Sequence, residues 1–414
     1  MYDTLPSETW IWQRIESIVQ QVLHSYYFQE IRFPLLEETA LFHSAIGEAT
    51  DVVDKEMFSF ESRSGKQISL RPEGTAGCVR AVIQNDLCNR GTIQKLWYQG
   101  PMFRYERPQK GRNRQFTQLG AEIFNVPTAQ ADAELILMTA RLWKQIGLPN
   151  IRLEVNSLGT SETRKRYREV LINYFEQHLS ILDEDALKRL YSNPLRILDS
   201  KNPNIRSIVE AAPVLSDYLD KESQAHFEDL TNILDACEIQ YTKNPKLVRG
   251  LDYYSKTVFE WITDDLGAQG TICGGGRYDS LVELQGGKAT PAVGFAMGID
   301  RIVELIKDLN LWQEHFPVDA CLVVDKEIGL NVINEISENI RNSLPKLNMF
   351  VTLNPSSFKA QFKKADKLSA QFAIIIGMNE VNNNRFTLKS LKDKEFGQKE
   401  GSFEQLVEWL QEFK

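Results

Sequence analysis

Residues 104–122 read Arg-Tyr-Glu-Arg-Pro-Gln-Lys-Gly-Arg-Asn-Arg-Gln-Phe-Thr-Gln-Leu-Gly-Ala-Glu, which sets five cations around the breakers Gly111 and Asn113 and closes on a strand-like run. Planar guanidinium groups grip phosphate oxygens bidentately, so this density of arginine suits a nucleotide or another phosphate-bearing anion. Glu106 and Glu122 lie in the same stretch and make poor phosphate partners. Their carboxylates suit an amine, an imidazole or the amino group of a base. Taken alone, a basic loop of this kind also reads as a solvated turn.

A hairpin would position these groups. Lys95-Leu96-Trp97-Tyr98 is a β-prone run, residues 115–124 form a second, and residues 108–113 hold the turn chemistry between them. Upstream, Ser7 as N-cap followed by Ile11, Ile15, Ile18 and Val22 predicts an amphipathic helix to about Tyr26, its stripe facing the core. Glu30-Ile31-Arg32-Phe33-Pro34 predicts a short strand stopped by proline. Residues 160–244 are rich in helix formers and charge. Strand texture returns at 253–262 and 267–284, where Gly274-Gly275-Gly276 reads as a tight turn.

After Pro317 three apolar runs, Ala320 to Val324, Met349 to Leu353 and Phe372 to Ile376, alternate with helical stretches. They predict a small α/β domain with largely parallel strands. Lys359, Lys363 and Lys367 fall on one helix face beside Phe358 and Phe362, a face that suits phosphates or plain solvent.

The 414 residues, 42% hydrophobic and 25% charged, fit ordinary globular domains and exclude a disordered chain. At a net charge of -8, any nucleic acid must be held by local basic patches. The five scattered cysteines include no Cys-x-x-Cys pair, which argues against a zinc knuckle or a disulfide framework and fits a reducing cytoplasm. No window approaches the roughly 20 apolar residues of a membrane span. The start, Met-Tyr-Asp-Thr-Leu-Pro, has neither a signal core nor a transit segment.

Phe103-Arg104-Tyr105-Glu106 resembles motif 2 of the class II aminoacyl-tRNA synthetases, and Gly294-Phe295-Ala296-Met297-Gly298-Ile299-Asp300-Arg301 resembles their motif 3, with Asp300 where glutamate is usual. Arg71-Pro72-Glu73-Gly74-Thr75, Leu247-Val248-Arg249-Gly250-Leu251-Asp252-Tyr253-Tyr254 and Gly274-Gly275-Gly276-Arg277-Tyr278-Asp279 are similar to signatures of the histidyl-tRNA synthetase family. The resemblance covers nearly the whole chain. It implies an α+β catalytic domain over 1–159 and 245–316, built on an antiparallel sheet flanked by helices. It also implies a helical insertion over 160–244 close to the tRNA acceptor arm, and an α/β anticodon-binding domain over 318–414. Residues 30–34 resemble motif 1, through which such enzymes form homodimers. Relatives usually carry several more residues, an Arg-Gly pair among them, before a start of this kind, which leaves a late start codon or a trimmed first strand as the two readings.

The activity implied is a cytoplasmic ligase that activates L-histidine with ATP, taken with Mg²⁺ as the substrate complex, and passes it to the 3′ end of the tRNA for histidine. No metal site of the protein's own is expected. By resemblance Arg249 and Arg104 are catalytic, Arg249 lying between the histidine carboxylate and the α-phosphate. Arg104, Glu106, Arg112 and Arg301 bind ATP. Glu73, Thr75 and Gln118 hold the α-amine, Glu122, Tyr254 and Tyr278 surround the ring, and Gly74, Tyr253 and Arg249 complete the histidine set. Arg107 and Gln109 are expected to meet the tRNA. A carboxylate on a ring N–H rejects carbocycles by roughly 10⁴ to 10⁵, which removes the need for editing. None of the five histidines lies in a motif, so a substrate phosphate oxygen is expected to take the ribose proton in transfer. Two other readings stand beside this one: a histidine-sensing regulatory subunit of ATP phosphoribosyltransferase and a nucleic-acid-binding pseudo-synthetase. Arg249, the complete motif 2 and the α/β stretch after Pro317 oppose the first, and the intact arginines oppose the second.

Overall fold

The run on each side of the cationic turn alternates bulky apolar residues with small or polar ones, and this period of two is what builds the centre of the protein. A computed structural model describes residues 3–412 apart from 47–49, 51, 107–111, 199, 201, 250–252, 268–269, 314–317 and 394. After the helix Pro6–Ser25 come β1 (Gln29–Glu30), β2 (Leu36–Glu38), β3 (Phe58–Glu61), β4 (Gln67–Leu70), β5 (Gln94–Phe103) and β6 (Gln115–Phe124). They are followed by β7 (Arg152–Ser157), β8 (Tyr241–Lys243), β9 (Ser255–Ile262), β10 (Thr271–Arg277) and β11 (Ala292–Gly298).

Eight of these form one sheet in the order β1-β5-β6-β11-β10-β9-β7-β8, and β2-β4-β3 form a small separate one. The inner pairs of the large sheet are antiparallel, as expected, but β1 on β5 and β8 on β7 are parallel. Both edge strands arrive by long connections, so no tight hairpin dictates their direction.

Alternation splits the large sheet into two faces. Trp97, Leu119, Ala121, Ile123, Phe259, Val293 and Phe295 share a core with the helices Pro6–Ser25, Ala129–Ile146, Lys221–Ala236 and Ile299–Asp308. Leu96, Tyr98, Phe124, Val258 and Tyr278 face the other way, toward the helix Thr75–Gln84 and the helices that follow β7. Two of those helices, Ser161–Glu176 and Glu184–Ser192, and the first-face helix Lys221–Ala236 start at Thr160, Asp183 and Asp220, whose side chains accept the N–H three residues on.

Three expectations change. The first helix starts at Pro6, not at a Ser7 cap: Leu5 takes the cap position without a side-chain bond, and proline at the first helical position gives up an N–H that would have no partner there. The strand expected at 30–34 ends at Glu30, because the Arg71 guanidinium, at 3.1 and 3.5 Å, takes the carbonyls of Phe33 and Pro34. Gly274 to Gly276 lie inside β10, not in a turn.

Residues Gln313–Lys414 form a compact unit of their own. It holds β12 (Ala320–Val324), β13 (Met349–Val351), β14 (Phe372–Ile376), β15 (Phe386–Ser390) and β16 (Gln398–Gly401) in the order β13-β12-β14-β15-β16. The first three are parallel, as the apolar runs predict; β15 and β16 add an antiparallel hairpin whose half-polar sequence hid it. Lys359, Lys363 and Lys367 are exposed along the helix Phe358–Lys367. Among the described residues no helix is long and apolar enough to cross a membrane.

Candidate active site

Strand register gathers the smallest side chains into one block of the sheet. Gly120 pairs with Ala296, Ala296 with Gly274, and Gly274 with Glu260; in the neighbouring rung Glu122 pairs with Gly294 and Gly294 with Gly276. These positions leave a hollow that larger neighbours enter. A Cβ on Gly120 or Gly74 would fall 2.3 or 2.1 Å from the Tyr98 ring, and one on Gly294 only 1.5 Å from Glu122 Oε2. A Cβ on Gly274 would meet the Arg249 guanidinium at 2.5 Å. The glycines of motif 3 and of the Gly-Gly-Gly run are therefore the complement of Glu122, Arg249 and Tyr254.

Glu122 is fully buried. It accepts from the hydroxyls of Thr75 and Tyr98, each at 2.9 Å, and from Tyr278 at 2.5 Å. Burial pushes its carboxyl up to about 8 against the downward pull of those three donors. Tyr253 packs on Tyr254 with centroids 4.6 Å apart and edge-on to Tyr278 at 5.6 Å. Glu73 receives the N–H groups of Thr75 and Ala76 at 2.7 and 2.8 Å, at the start of the helix Thr75–Gln84. Burial raises its carboxyl too, and these bonds oppose the rise. Gln118 accepts from the Gly74 N–H at 3.1 Å. Glu73, Gly74, Thr75, Gln118, Glu122, Tyr253, Tyr254 and Tyr278 are thus brought together.

The arginines converge on the same hollow. Arg104 donates through Nε to the Pro72 carbonyl at 2.8 Å and stacks over Phe116, while Arg112 pairs with Glu106 at 3.0 Å. Arg301 donates to the Thr271 carbonyl. Burial and then the charge of Arg112 lower its pKa, and Glu106 opposes the fall. Arg249 pairs with Glu260 and lies over the Tyr254 ring. Burial acts to lower its pKa, and Glu260 with the tyrosines outweighs it, so the guanidinium is held firmly charged. The cleft, about 900 Å³, is lined by Glu73, Thr75, Arg104, Glu106, Arg112, Gln118, Arg249, Tyr253, Tyr254 and Arg301. Glu122 and Tyr278 do not line it and connect to it through Thr75. Arg107 and Gln109 lie outside the described residues, as do Gly250, Leu251 and Asp252. Asp300, shorter than the usual glutamate, still accepts the Thr117 N–H at 2.6 Å and ties its helix to β6.

Sequence reasoning missed Tyr98, Thr271 and Glu260. A lone carboxylate in Thr-Val-Phe-Glu-Trp-Ile was the available signal for Glu260, since a charge in an apolar strand needs a partner. Arg277 belongs to a different group: fully buried, it pairs with Asp132 and Asp279 and donates to the carbonyls of Val126 and Thr128, with His226 Nε2 at 3.3 Å from Asp132. This network anchors the end of β10 beside Tyr278. A second cleft, about 1000 Å³, is lined by Arg164, Lys165, Arg168, Arg196 and Arg249 with no carboxylate among its lining residues. It meets the first at Arg249.

The chain matches the family model for histidyl-tRNA synthetase over residues 1–302 and that for an anticodon binding domain over residues 321–413. Among solved structures it is similar to the apo histidyl-tRNA synthetase of S. aureus, at 32% identity and a TM-score of 0.81, covering 99% of this chain and 98% of that one. It shares its fold with the histidyl-tRNA synthetase of Nostoc sp. PCC 7120, at 19% identity and a TM-score of 0.69 over 100% and 98% of the two chains. It also shares its fold with a Bacillus halodurans protein described as an ATP phosphoribosyltransferase regulatory subunit/histidyl-tRNA synthetase, at 22% identity and a TM-score of 0.64 over 91% and 97%. A large mixed sheet with its small-residue hollow, a separate C-terminal sheet and full-length similarity at this level agree: the chain belongs to the histidyl-tRNA synthetase family.

Proposed function

We propose that this chain is a histidine–tRNA ligase. The carrying observation is a cleft that gathers Arg104, Arg112, Arg249 and Arg301 and reaches, through Thr75 on its wall, a hydroxyl-ringed buried carboxylate, Glu122. In the first step a histidine carboxylate oxygen attacks the α-phosphorus of ATP, an O–P bond forms, and pyrophosphate leaves with Mg²⁺. No proton moves, so the work is electrostatic. Arg249 faces both reacting anions, Arg104 meets the α-phosphate, Arg112 and Arg301 the rest of the triphosphate, and Glu106 the adenine end or the magnesium. Glu73, Thr75 and Gln118 receive the α-amine, and Glu122 with Tyr254 and Tyr278 receives the imidazole.

In the second step the terminal ribose hydroxyl of the tRNA attacks the acyl carbon, AMP leaves, and its phosphate oxygen takes the proton. Residues 160–244 act as the insertion and 318–414 as the anticodon-binding domain of a cytoplasmic homodimer, with catalytic segments 1–159 and 245–316. Mg²⁺ enters with ATP as the substrate complex.

The regulatory-subunit alternative shares the fold with the Bacillus halodurans protein. A histidine sensor would use Arg249 on the histidine carboxylate, whereas Arg104, Arg112 and Arg301 beside it suit a triphosphate. Exchange of labelled pyrophosphate into ATP separates the two readings. It should require histidine, and its absence at saturating histidine and magnesium would leave the regulatory reading standing.

A further inference from the structure

Glu260 is the one charged residue in the β9 run Thr-Val-Phe-Glu-Trp-Ile, and its side chain is only 18% exposed. One carboxylate oxygen pairs with the Arg249 guanidinium and the other accepts the Thr271 hydroxyl at 2.9 Å. Directly across the sheet stands Gly274, and the Arg249 guanidinium fills the space that a Cβ there would need. The Tyr254 ring lies 5.6 Å from the guanidinium carbon. A carboxylate, a missing side chain and a ring thus fix one arginine head.

An arginine has a long, rotamer-rich stem, and a guanidinium assists a reaction only if its orientation is set before charge develops. We propose that Glu260 is the positioning residue of this site: it fixes the direction in which Arg249 presents its guanidinium to the two reacting anions, without touching either substrate. The inference rests on the histidine-activation reading and adds a residue to it. A carboxylate could instead act as a latch that holds Arg249 off the phosphate until ATP displaces it. The two roles predict opposite signs.

The test is steady-state pyrophosphate exchange with the full chain, comparing wild type, Glu260→Gln, Glu260→Ala, Arg249→Ala and the double variant Arg249→Ala/Glu260→Ala. Glu260→Gln keeps the shape and an acceptor for Thr271, so it carries the test if the alanine variant fails to fold. For a positioning residue, kcat should fall roughly 10-fold in Glu260→Gln and roughly 10²-fold in Glu260→Ala, with KM for ATP and for histidine within about threefold. The double variant should be no slower than Arg249→Ala alone, because Glu260 acts through Arg249. Losses that multiply in the double variant, or that fall on KM, would make Glu260 merely structural, and faster exchange in Glu260→Ala would make it a latch; each overturns the inference while wild-type exchange keeps the reading. No exchange in wild type overturns the reading and the inference together.

Discussion

At Glu122 two demands compete, because a carboxylate suits a ring N–H while full burial resists its ionisation. Its carboxyl is raised from 4.5 to about 8, so the folded apo protein keeps a proton that the unfolded chain releases. A raised folded value means that this contribution to stability is complete below 4.5 and is lost as pH rises to about 8. Glu122→Gln abolishes that proton uptake, so its melting temperature, followed by calorimetry without ligands, should decline less than that of wild type across this window. Parallel curves would mean that Glu122 ionises normally. Glu122→Ala should also raise KM for histidine far more than KM for ATP, whereas an unchanged histidine KM and kcat would remove it from the pocket. Arg249→Ala removes a preorganised donor and should slow exchange by roughly 10² to 10³. A rate within about threefold of wild type would make that arginine structural.

Among the elements, the strands matter for what they leave out. Gly294→Ala adds one methyl group to β11 where Glu122 Oε2 already lies, so histidine affinity measured by calorimetry should drop at least roughly tenfold while circular dichroism keeps its β signal. Unchanged affinity would show that Glu122 can step aside freely. The β5–β6 hairpin and the parallel β12, β13 and β14 were legible because period two and apolar runs report burial directly. Gly274 to Gly276 were misread as a turn because a glycine records missing volume without saying whose side chain uses it. Tyr98 was read only as part of a β-prone run, since alternation does not tell which face is hollow until β5 is registered against β6. The basic cleft beside the helix Ser161–Glu176 makes a further prediction. Arg168→Glu should weaken transfer to tRNA, measured by single-turnover charging, while exchange is unchanged; unaltered transfer would detach this cleft from the nucleic acid.

At the scale of the whole chain, the two compact units keep separate cores, one set behind and before the large sheet and another around β12 and β14. Every residue of the candidate cleft precedes 302, so a chain ending near 316 should still make histidyl-adenylate once its fold is checked. Its affinity for tRNA should fall and depend less steeply on salt, since fewer phosphate contacts release fewer counterions. Unchanged charging by the folded truncated protein would refute the anticodon-binding role of 318–414. At a net charge of -8, local basic patches have to hold tRNA against the average field of the chain. On the proposed function, one cleft both activates histidine and gives it away. Charging of the tRNA for histidine with labelled histidine measures this directly: the label should become acid-precipitable only when ATP, Mg²⁺ and that tRNA are all present, and should be lost in Arg249→Ala. Label that never joins the tRNA, although histidine binds, would rule out a ligase and leave a sensor in its place.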